Sequence, residues 1–149
     1  MNISDICTVD AISCTRDETV QAAALLMRKH HVGDLVVVDR VEDDALPVGI
    51  VTDRDIVVSV IALGLDPASL LVGDIMSDDL LTCGEADDVY QTIEHMRLRG
   101  IRRAPVVNHR GALSGIVSAD DLLEFLADEM GDLSRISGSQ QAHEKRARH

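Results

Sequence analysis

Aromatic side chains are almost absent from this sequence: its 149 residues include one tyrosine, one phenylalanine and no tryptophan. Proteins that bind single-stranded nucleic acid stack bases on aromatic rings, and proteins that bind duplexes neutralise phosphates with lysine and arginine. Here 26 acidic residues outnumber 14 basic ones, which gives a formal net charge of −12. The composition therefore argues against a nucleic-acid partner.

Long hydrophobic runs are also missing. The longest nearly unbroken apolar stretch, residues 56–63, is far shorter than the roughly 20 residues that cross a bilayer. The first residues show no basic patch followed by an apolar block, which is the pattern of a secretory signal. We therefore expect a cytoplasmic protein that does not associate with membranes.

Cysteines are few and odd in number: Cys7, Cys14 and Cys83, all in apolar surroundings. This pattern favours reduced, buried thiols over a disulfide framework. Cys14 and Cys83 occupy equivalent positions of the repeat described next, so a redox pair is the alternative. The histidines lack the spacing of metal ligands, and we expect no metal site and no cofactor.

The sequence is rich in one respect, internal repetition. Sliding the chain against itself by 69 positions, the difference between Cys83 and Cys14, aligns two halves without a gap. The connection 39–47 is three residues longer than its counterpart 108–113, so the offset then shortens to 66, where residues 49–56 match residues 115–122. With 46% hydrophobic residues, the two halves have enough apolar material to build one core together.

Each half is predicted to fold in the order β-α-β-β-α. Short apolar runs indicate the strands, and apolar residues at helical spacing, such as Val20, Ala23, Ala24 and Met27, indicate the first helix. The predicted strands are 11–14, 35–38 and 48–51 in the first half and 80–83, 104–107 and 113–117 in the second. Closing helices are predicted at 53–62 and 119–129, with Gly64 and Gly131 as their stops.

These elements predict an α+β fold. A single unit would bury its sheet poorly, so we expect the two repeats to pack about a pseudo-twofold axis as one module. The expected boundaries are 1–66 for the first repeat and 67–131 for the second. Residues 132–149 lose the apolar periodicity and are predicted to form a flexible polar tail.

Both closing helices begin with the same pattern, Thr52-x-x-Asp55 and Ser118-x-x-Asp121. A Ser or Thr followed three residues later by an acid is typical of a capping box, which stabilises a helix N-terminus without any ligand. Free amides at a helix N-terminus can also bind an anion such as phosphate. Both interpretations are open at this point.

The repeated unit resembles a known family. The closing signature Gly-hydrophobic-Val-Thr/Ser-x-x-Asp and the phrase Ile101-Arg102-Arg103-Ala104-Pro105-Val106-Val107 resemble a pair of CBS domains, the Bateman module. The stretch Thr52-Asp53-Arg54-Asp55-Ile56-Val57, with Gly64-Leu65-Asp66-Pro67 further on, is similar to small stand-alone bacterial CBS-pair proteins, among them the hypoxic response type. The resemblance covers about residues 5–130.

The resemblance implies that clefts between the repeats bind an adenosine-containing ligand. Asp55 and Asp121 would then bind the ribose hydroxyls, and Thr52 and Ser118 would help to hold phosphate. Ser13 and Thr82 match a position that lines the same clefts. The purine would lie among aliphatic side chains and backbone groups of residues 32–35 and 101–104. The candidates in or directly after these segments are Val32, Ile101 and Pro105.

The two repeats differ in charge. Arg54 in the first signature corresponds to Asp120 in the second, while Arg102 and Arg103 correspond to Gly33 and Asp34. Arg54, Arg102 and Arg103 are therefore phosphate candidates, and the cleft that uses Asp55 is expected to prefer the more phosphorylated ligand. The alternative is that these side chains face solvent.

The expected function is a non-enzymatic regulatory sensor that binds AMP, ADP or ATP. S-adenosylmethionine and NAD are alternative ligands, and a structural or interaction subunit without a ligand is the alternative function. No acid, base and nucleophile can be assembled from the motifs, which argues against an enzyme. By resemblance, two chains pair as a homodimer that acts on an unknown regulated protein.

Overall fold

The protein folds as two repeats of one pattern, seen in a computed structural model that describes residues 1–148. The first repeat contains β1 (Ser13–Thr15), α1 (Val20–His30), β2 (Asp34–Val41), β3 (Asp44–Thr52) and α2 (Asp53–Ile56), which continues as π-helix over Val57–Ile61. A short helix α3 (Val72–Ile75) follows. The second repeat contains β4 (Cys83–Gly84), α4 (Val89–Arg99), β5 (Arg103–Val107), β6 (Leu113–Ser118) and α5 (Ala119–Ala147). The predicted α+β duplication is confirmed.

Each repeat forms its own three-stranded sheet, in the orders β1-β2-β3 and β4-β5-β6. The first strand of each sheet is parallel to the second, and the second is antiparallel to the third. The parallel strands are connected by α1 and α4, which cover the sheet with their apolar faces. β3 contacts β6 where the two sheets meet.

Two hydrophobic cores result, one for each sheet. In the first core, Leu35, Val37 and Val51 of the sheet pack with Val20 of α1. In the second, the equivalent strand residues Val106 and Val117 pack with Val89 of α4, which is equivalent to Val20, and with Leu122 and Phe125 of α5. The branched aliphatic residues that indicated strands in the sequence therefore form the buried faces of the sheets.

The repeats exchange short segments. Ile3 lies in a 3-10 helix before β1, within the first repeat, yet it is fully buried in the second core, and its N–H donates to Asp87 O at 2.9 Å. Val72 begins α3, within the second repeat, but is buried in the first core, and its N–H donates to Glu18 O at 2.8 Å. Packing therefore crosses the boundaries predicted at 1–66 and 67–131, because each core is completed by a segment from outside its own repeat.

Over the described residues, the segment predicted as a flexible polar tail is exposed but helical. α5 continues through Gly131 to Ala147 as one helix, so Gly131 is not a helix stop. Residues 132–148 are all exposed, which explains why they lack apolar periodicity. Their helix is supported by good helix formers such as Ala, Gln, Glu, Lys and Arg and by an Arg135–Asp132 ion pair at 3.0 Å. His149 lies outside the described residues.

Candidate functional site: two clefts between the repeats

Two clefts of about 240 and 300 Å³ lie between the repeats. We call them the Thr52 cleft and the Ser118 cleft after the residues that end β3 and β6. Equivalent positions of the repeat line both. The Thr52 cleft contains Ile50, Thr52, Asp79, Leu80, Leu81 and Ile101. The Ser118 cleft contains their counterparts Ile116, Ser118, Asp10, Ala11, Ile12 and Val32.

Each cleft is built by both repeats. Thr52 lies at the end of β3, whereas Leu81 precedes β4 and Ile101 precedes β5 in the other repeat. In the Ser118 cleft the contributions are reversed, with Ser118 from the second repeat and Ile12 and Val32 from the first. A lone repeat would therefore supply only half of each cleft, and the duplication is what creates the sites.

The strand-to-helix junctions form reciprocal capping boxes. Thr52 Oγ1 accepts from the N–H of Asp55 at 3.1 Å, and Asp55 Oδ2 accepts from the N–H of Thr52 at 2.9 Å. Ser118 and Asp121 repeat both bonds at 3.1 and 2.9 Å. In each box the carboxylate uses Oδ2, and within residues 1–148 its Oδ1 accepts no hydrogen bond. The boxes thus orient the signature acids while leaving one oxygen of each for other partners.

Some of the predicted site residues lie in these clefts. Thr52, Ile101 and Arg102 line the Thr52 cleft, Val32, Ser118 and Asp121 line the Ser118 cleft, and Arg103 lines both. Asp55 is half-buried and bonded to Thr52, although it is not itself part of the lining.

Four other candidates lie outside the clefts. Arg54 is exposed in the first turn of α2, and Pro105 is buried within β5, opposite Ile116. Ser13 and Thr82 are replaced in the lining by Ile12 and Leu81, the residues directly before them. Adjacent residues of an extended chain point to opposite sides, which is why Ile12 and Leu81 line the clefts while the residues after them do not.

Asp34, Asp10 and Asp79 are cleft residues that the sequence motifs do not indicate. Asp34 and Arg103 hold equivalent places in the repeats, and Arg103 Nε lies 3.4 Å from Asp34 Oδ2. The Asp34 side chain is only 11% exposed, and among the described residues its Oδ2 has no hydrogen-bond partner. Burial raises the pKa of Asp34, nearby Arg103 lowers it, and the charge of Asp53 raises it further. Repeat equivalence to Arg103 was the signal that could have identified Asp34.

The clefts carry different charge. In the Thr52 cleft, Arg102 and Arg103 accompany Asp34 and Asp79, and Asp79 is itself paired with Arg99. In the Ser118 cleft, Arg103 and His31 stand beside three carboxylates: Asp10, Asp34 and Asp121. The Thr52 cleft is therefore the more favourable of the two for an anionic group.

The thiols take no part in the clefts. Cys14 is buried in the first core and Cys83 in the second, and burial raises the pKa of Cys14 to about 12 and that of Cys83 to about 11. Cys7 is half-buried, with its pKa also raised by burial. Separate cores and protonated thiols favour the packing role over a Cys14–Cys83 redox pair.

The chain belongs to the CBS domain family, whose sequence pattern matches residues 3–61 and 72–128. It is 34% identical over 124 residues to an uncharacterised protein of Methanopyrus kandleri, covering 83% of this chain and 62% of that one. It is 34% identical over 119 residues to Hypoxic response protein 1 of Mycobacterium tuberculosis, covering 78% and 80%. The chain thus spans about three fifths of the length of the Methanopyrus relative and four fifths of the mycobacterial one.

Solved structures of CBS pairs share the fold. The CBS domain pair of protein MJ0100, in complex with 5'-methylthioadenosine and S-adenosyl-L-methionine, superposes with a TM-score of 0.72 at 26% identity, over 87% of this chain and 98% of that one. A hexameric CBS-CP12 protein from bloom-forming cyanobacteria gives 0.72 at 33% identity, over 83% and 66%. The fold and the pairing of CBS domains predicted from the sequence are confirmed.

Neither a membrane span nor a metal cluster is found in the part of the chain that the structure describes. No helix within residues 1–148 is both long enough and apolar enough to cross a bilayer. The same residues contain no group of three or more His, Cys, Asp or Glu side chains placed to hold a metal ion.

Proposed function

We propose that this protein is a non-enzymatic regulatory module that binds a phosphate-bearing adenosine ligand of the AMP, ADP or ATP class in its Thr52 cleft. The observation that carries the proposal is the placement of Arg102 and Arg103 in this cleft. Guanidinium groups bind phosphate through paired, charge-assisted hydrogen bonds. No other described cleft between the repeats contains two arginines.

The remaining lining suits the rest of the ligand. Ile50, Leu80 and Ile101 offer an apolar wall for the purine, whose faces need no aromatic partner to be buried. Asp55 does not line the cleft but is bonded to Thr52, which does. We assign its Oδ1 to the ribose hydroxyls, because the capping box occupies only Oδ2. Thr52 lies at the N-terminus of α2, where the helix dipole favours an anionic group, although the amides of Asp53, Arg54 and Asp55 already donate to protein acceptors.

Arg102 can reach a ligand at little cost. Its ion pair with Asp120 is long, at 3.7 Å, and both side chains are more than 70% exposed. Exposed pairs of this kind contribute only about 0–1 kcal/mol. A phosphate can therefore replace Asp120 as the partner of Arg102 without a large loss of protein stability.

The Ser118 cleft suits a less anionic adenosine compound. Its three carboxylates disfavour a phosphate chain and favour a neutral or cationic group, such as the sulfonium of S-adenosylmethionine. The complex of the MJ0100 CBS pair with 5'-methylthioadenosine and S-adenosyl-L-methionine supports this second ligand class. NAD is disfavoured in this cleft because it carries two phosphates.

Regulation requires a partner, and we propose a homodimer of CBS pairs acting on a further protein. The helices expose large apolar side chains, among them Val57, Ile61, Leu98 and Leu123, which a second chain could cover. The hexameric CBS-CP12 structure, a neighbour with this fold, supports association between chains. The expected location is the cytoplasm, where the three unpaired thiols would remain reduced.

Isothermal calorimetry with AMP, ADP, ATP and adenosine tests the proposal. Arg102→Gln should weaken ADP binding about tenfold, since a charged hydrogen bond contributes about 1.5–3 kcal/mol, and should leave adenosine binding unchanged. Arg54→Gln is the matched control, because Arg54 is exposed outside the cleft and should have no effect. Absence of binding by every adenine compound at millimolar concentration would favour the structural subunit instead.

The signature acids can be tested without disturbing the helix caps. Asp55→Asn keeps an acceptor for the Thr52 N–H while removing the charge that the ribose contact uses, and Asp121→Asn does the same in the other cleft. We expect Asp55→Asn to weaken ADP binding with little change in thermal stability. If Asp121→Asn weakens ADP binding more than Asp55→Asn does, the assignment of the nucleotide to the Thr52 cleft is wrong.

A further inference from the structure

Asp34 and Arg103 are the only two described residues that line both clefts. Every other lining residue of the Thr52 cleft or the Ser118 cleft belongs to one of them alone. Arg103 Nε lies 3.4 Å from Asp34 Oδ2, and the two residues occupy equivalent positions of the two repeats. The pair therefore lies between the clefts, and a change in its charge or geometry alters the lining of both.

Arg103 carries a single positive charge, so it cannot fully neutralise both Asp34 and a phosphate. A phosphate competes well for it, because the present contact with Asp34 is an ion pair without a hydrogen bond. When the guanidinium turns to a phosphate in one cleft, the buried carboxylate of Asp34 loses its counter-ion. That carboxylate then faces the other cleft with its full negative charge and repels a second phosphate.

We propose that the Asp34–Arg103 pair couples the two clefts negatively for phosphate-bearing ligands, so that a nucleotide in the Thr52 cleft lowers the affinity of the Ser118 cleft for another. This inference rests on the proposed function and adds its regulation. Coupling is reciprocal and typically changes affinity by about 5- to 150-fold. A ligand without phosphate does not draw Arg103 away, and adenosine binds the clefts independently.

The test uses one reporter in each cleft. Ile50 and Ile116 are equivalent residues that line the Thr52 cleft and the Ser118 cleft, so their methyl resonances report the occupancy of each cleft separately. ADP is titrated into isoleucine-methyl-labelled protein. Leu80→Trp fills the Thr52 cleft, and Ala11→Trp, at the equivalent position, fills the Ser118 cleft as the matched control. Neither residue belongs to a hydrophobic core, and Leu80→Tyr is used if the indole lowers the thermal midpoint.

The proposal expects the ADP concentration that half-saturates Ile116 to fall at least fivefold in Leu80→Trp, because Arg103 then remains available to the Ser118 cleft. In the Arg103→Gln background this fall should disappear. Ala11→Trp should leave half-saturation at Ile50 unchanged, since the Thr52 cleft fills first in the wild-type protein.

The coupling would be overturned if the ADP concentration that half-saturates Ile116 were the same in the wild-type protein and in Leu80→Trp. It would also be overturned if this concentration still fell in the Arg103→Gln background. Failure of the proposed function looks different: neither methyl group would shift with ADP, AMP, ATP or adenosine. Adenosine titrations separate coupling from blocked access, because a fall seen with adenosine too would show that phosphate is not its cause and would also overturn the proposal.

Discussion

Asp34 and Arg103 hold equivalent places in the two repeats but carry opposite charge, and Arg103 Nε lies 3.4 Å from Asp34 Oδ2. The repeat has thus placed an acid and a base side by side where an unmodified duplication would place two identical residues. The contact does not fully compensate the burial of Asp34, because burial still raises the pKa of its carboxyl group. The ionised Asp34 side chain therefore lowers the stability of the folded protein, and substituting it tests this effect.

Asp34→Asn should stabilise the protein at neutral pH by about 1 kcal/mol, in the range expected for a buried acceptor without a hydrogen bond. The raised pKa means that the folded state holds the Asp34 proton more tightly than the unfolded state does. Wild-type stability is therefore lost as pH rises from the ordinary aspartate value of about 3.9 through the raised pKa. The gain from Asp34→Asn should disappear below that interval.

Urea unfolding between acidic and neutral pH measures this difference. Asp120→Asn is the control, because Asp120 is 78% exposed and should show no such dependence on pH. A loss of stability in Asp34→Asn at neutral pH would mean that attraction to Arg103 outweighs the burial of the carboxylate.

The signature glycines permit a close approach of the exchanged segments. A Cβ at Gly49 would lie 2.6 Å from Ser77 O, and one at Gly115 would lie 2.6 Å from Thr8 O. The backbone of Ser77 pairs with Ile50, and the backbone of Thr8 pairs with Ile116, in each case the residue directly after the glycine. Gly49→Ala and Gly115→Ala should each destabilise the fold by about 1–3 kcal/mol, as overpacking does.

Thermal unfolding checks the glycine prediction, with Gly138→Ala as control. Gly138 lies in α5, and a Cβ there would meet no neighbouring atom within 4 Å. Alanine at this position should therefore be neutral or stabilising, by up to about 1 kcal/mol. Equal midpoints for all three variants would show that the segments can move apart without cost.

The thiols should be slow to react in the folded protein. The pKa values of Cys14, about 12, and Cys83, about 11, leave almost no thiolate at neutral pH, and thiolate is the reactive form. We expect Cys14 and Cys83 to be modified by iodoacetamide only as the protein unfolds, as followed by mass spectrometry of the cysteine peptides. Rapid labelling of either residue under native conditions would contradict the buried packing role.

The end of α5 should contribute helicity without global stability. Residues 132–148 are exposed throughout, and the buried residues of α5 are Leu122 and Phe125 near its start. Removing residues 132–149 should lower ellipticity at 222 nm but leave the thermal midpoint and ADP affinity nearly unchanged. A clear fall in the midpoint would show that this segment packs against another part of the assembly, such as the exposed apolar residues of a second chain.

Much of the fold could be predicted from the sequence, because the determining signals are local or repeated. Short runs of Val, Ile and Leu indicated the strands, helical spacing indicated α1 and α4, and the offset of 69 residues between Cys14 and Cys83 revealed the duplication. The capping boxes at Thr52 and Ser118 could also be predicted, since both partners of each box lie within four residues of sequence. The helix over residues 132–147 was not predicted from the sequence, because an exposed helix needs no apolar face.

Only the tertiary structure decided which residues share a cleft. Thr52 lines the same cleft as Leu81 and Ile101 because the two sheets pack together, and no spacing along the chain encodes that arrangement. The same packing placed Ile12 and Leu81 in the clefts instead of Ser13 and Thr82. It also brought Asp34 to Arg103. The sequence by itself determined two equivalent half-sites of unequal charge; the packing of one repeat on the other combined them, because a cleft between repeats exists only after both have folded.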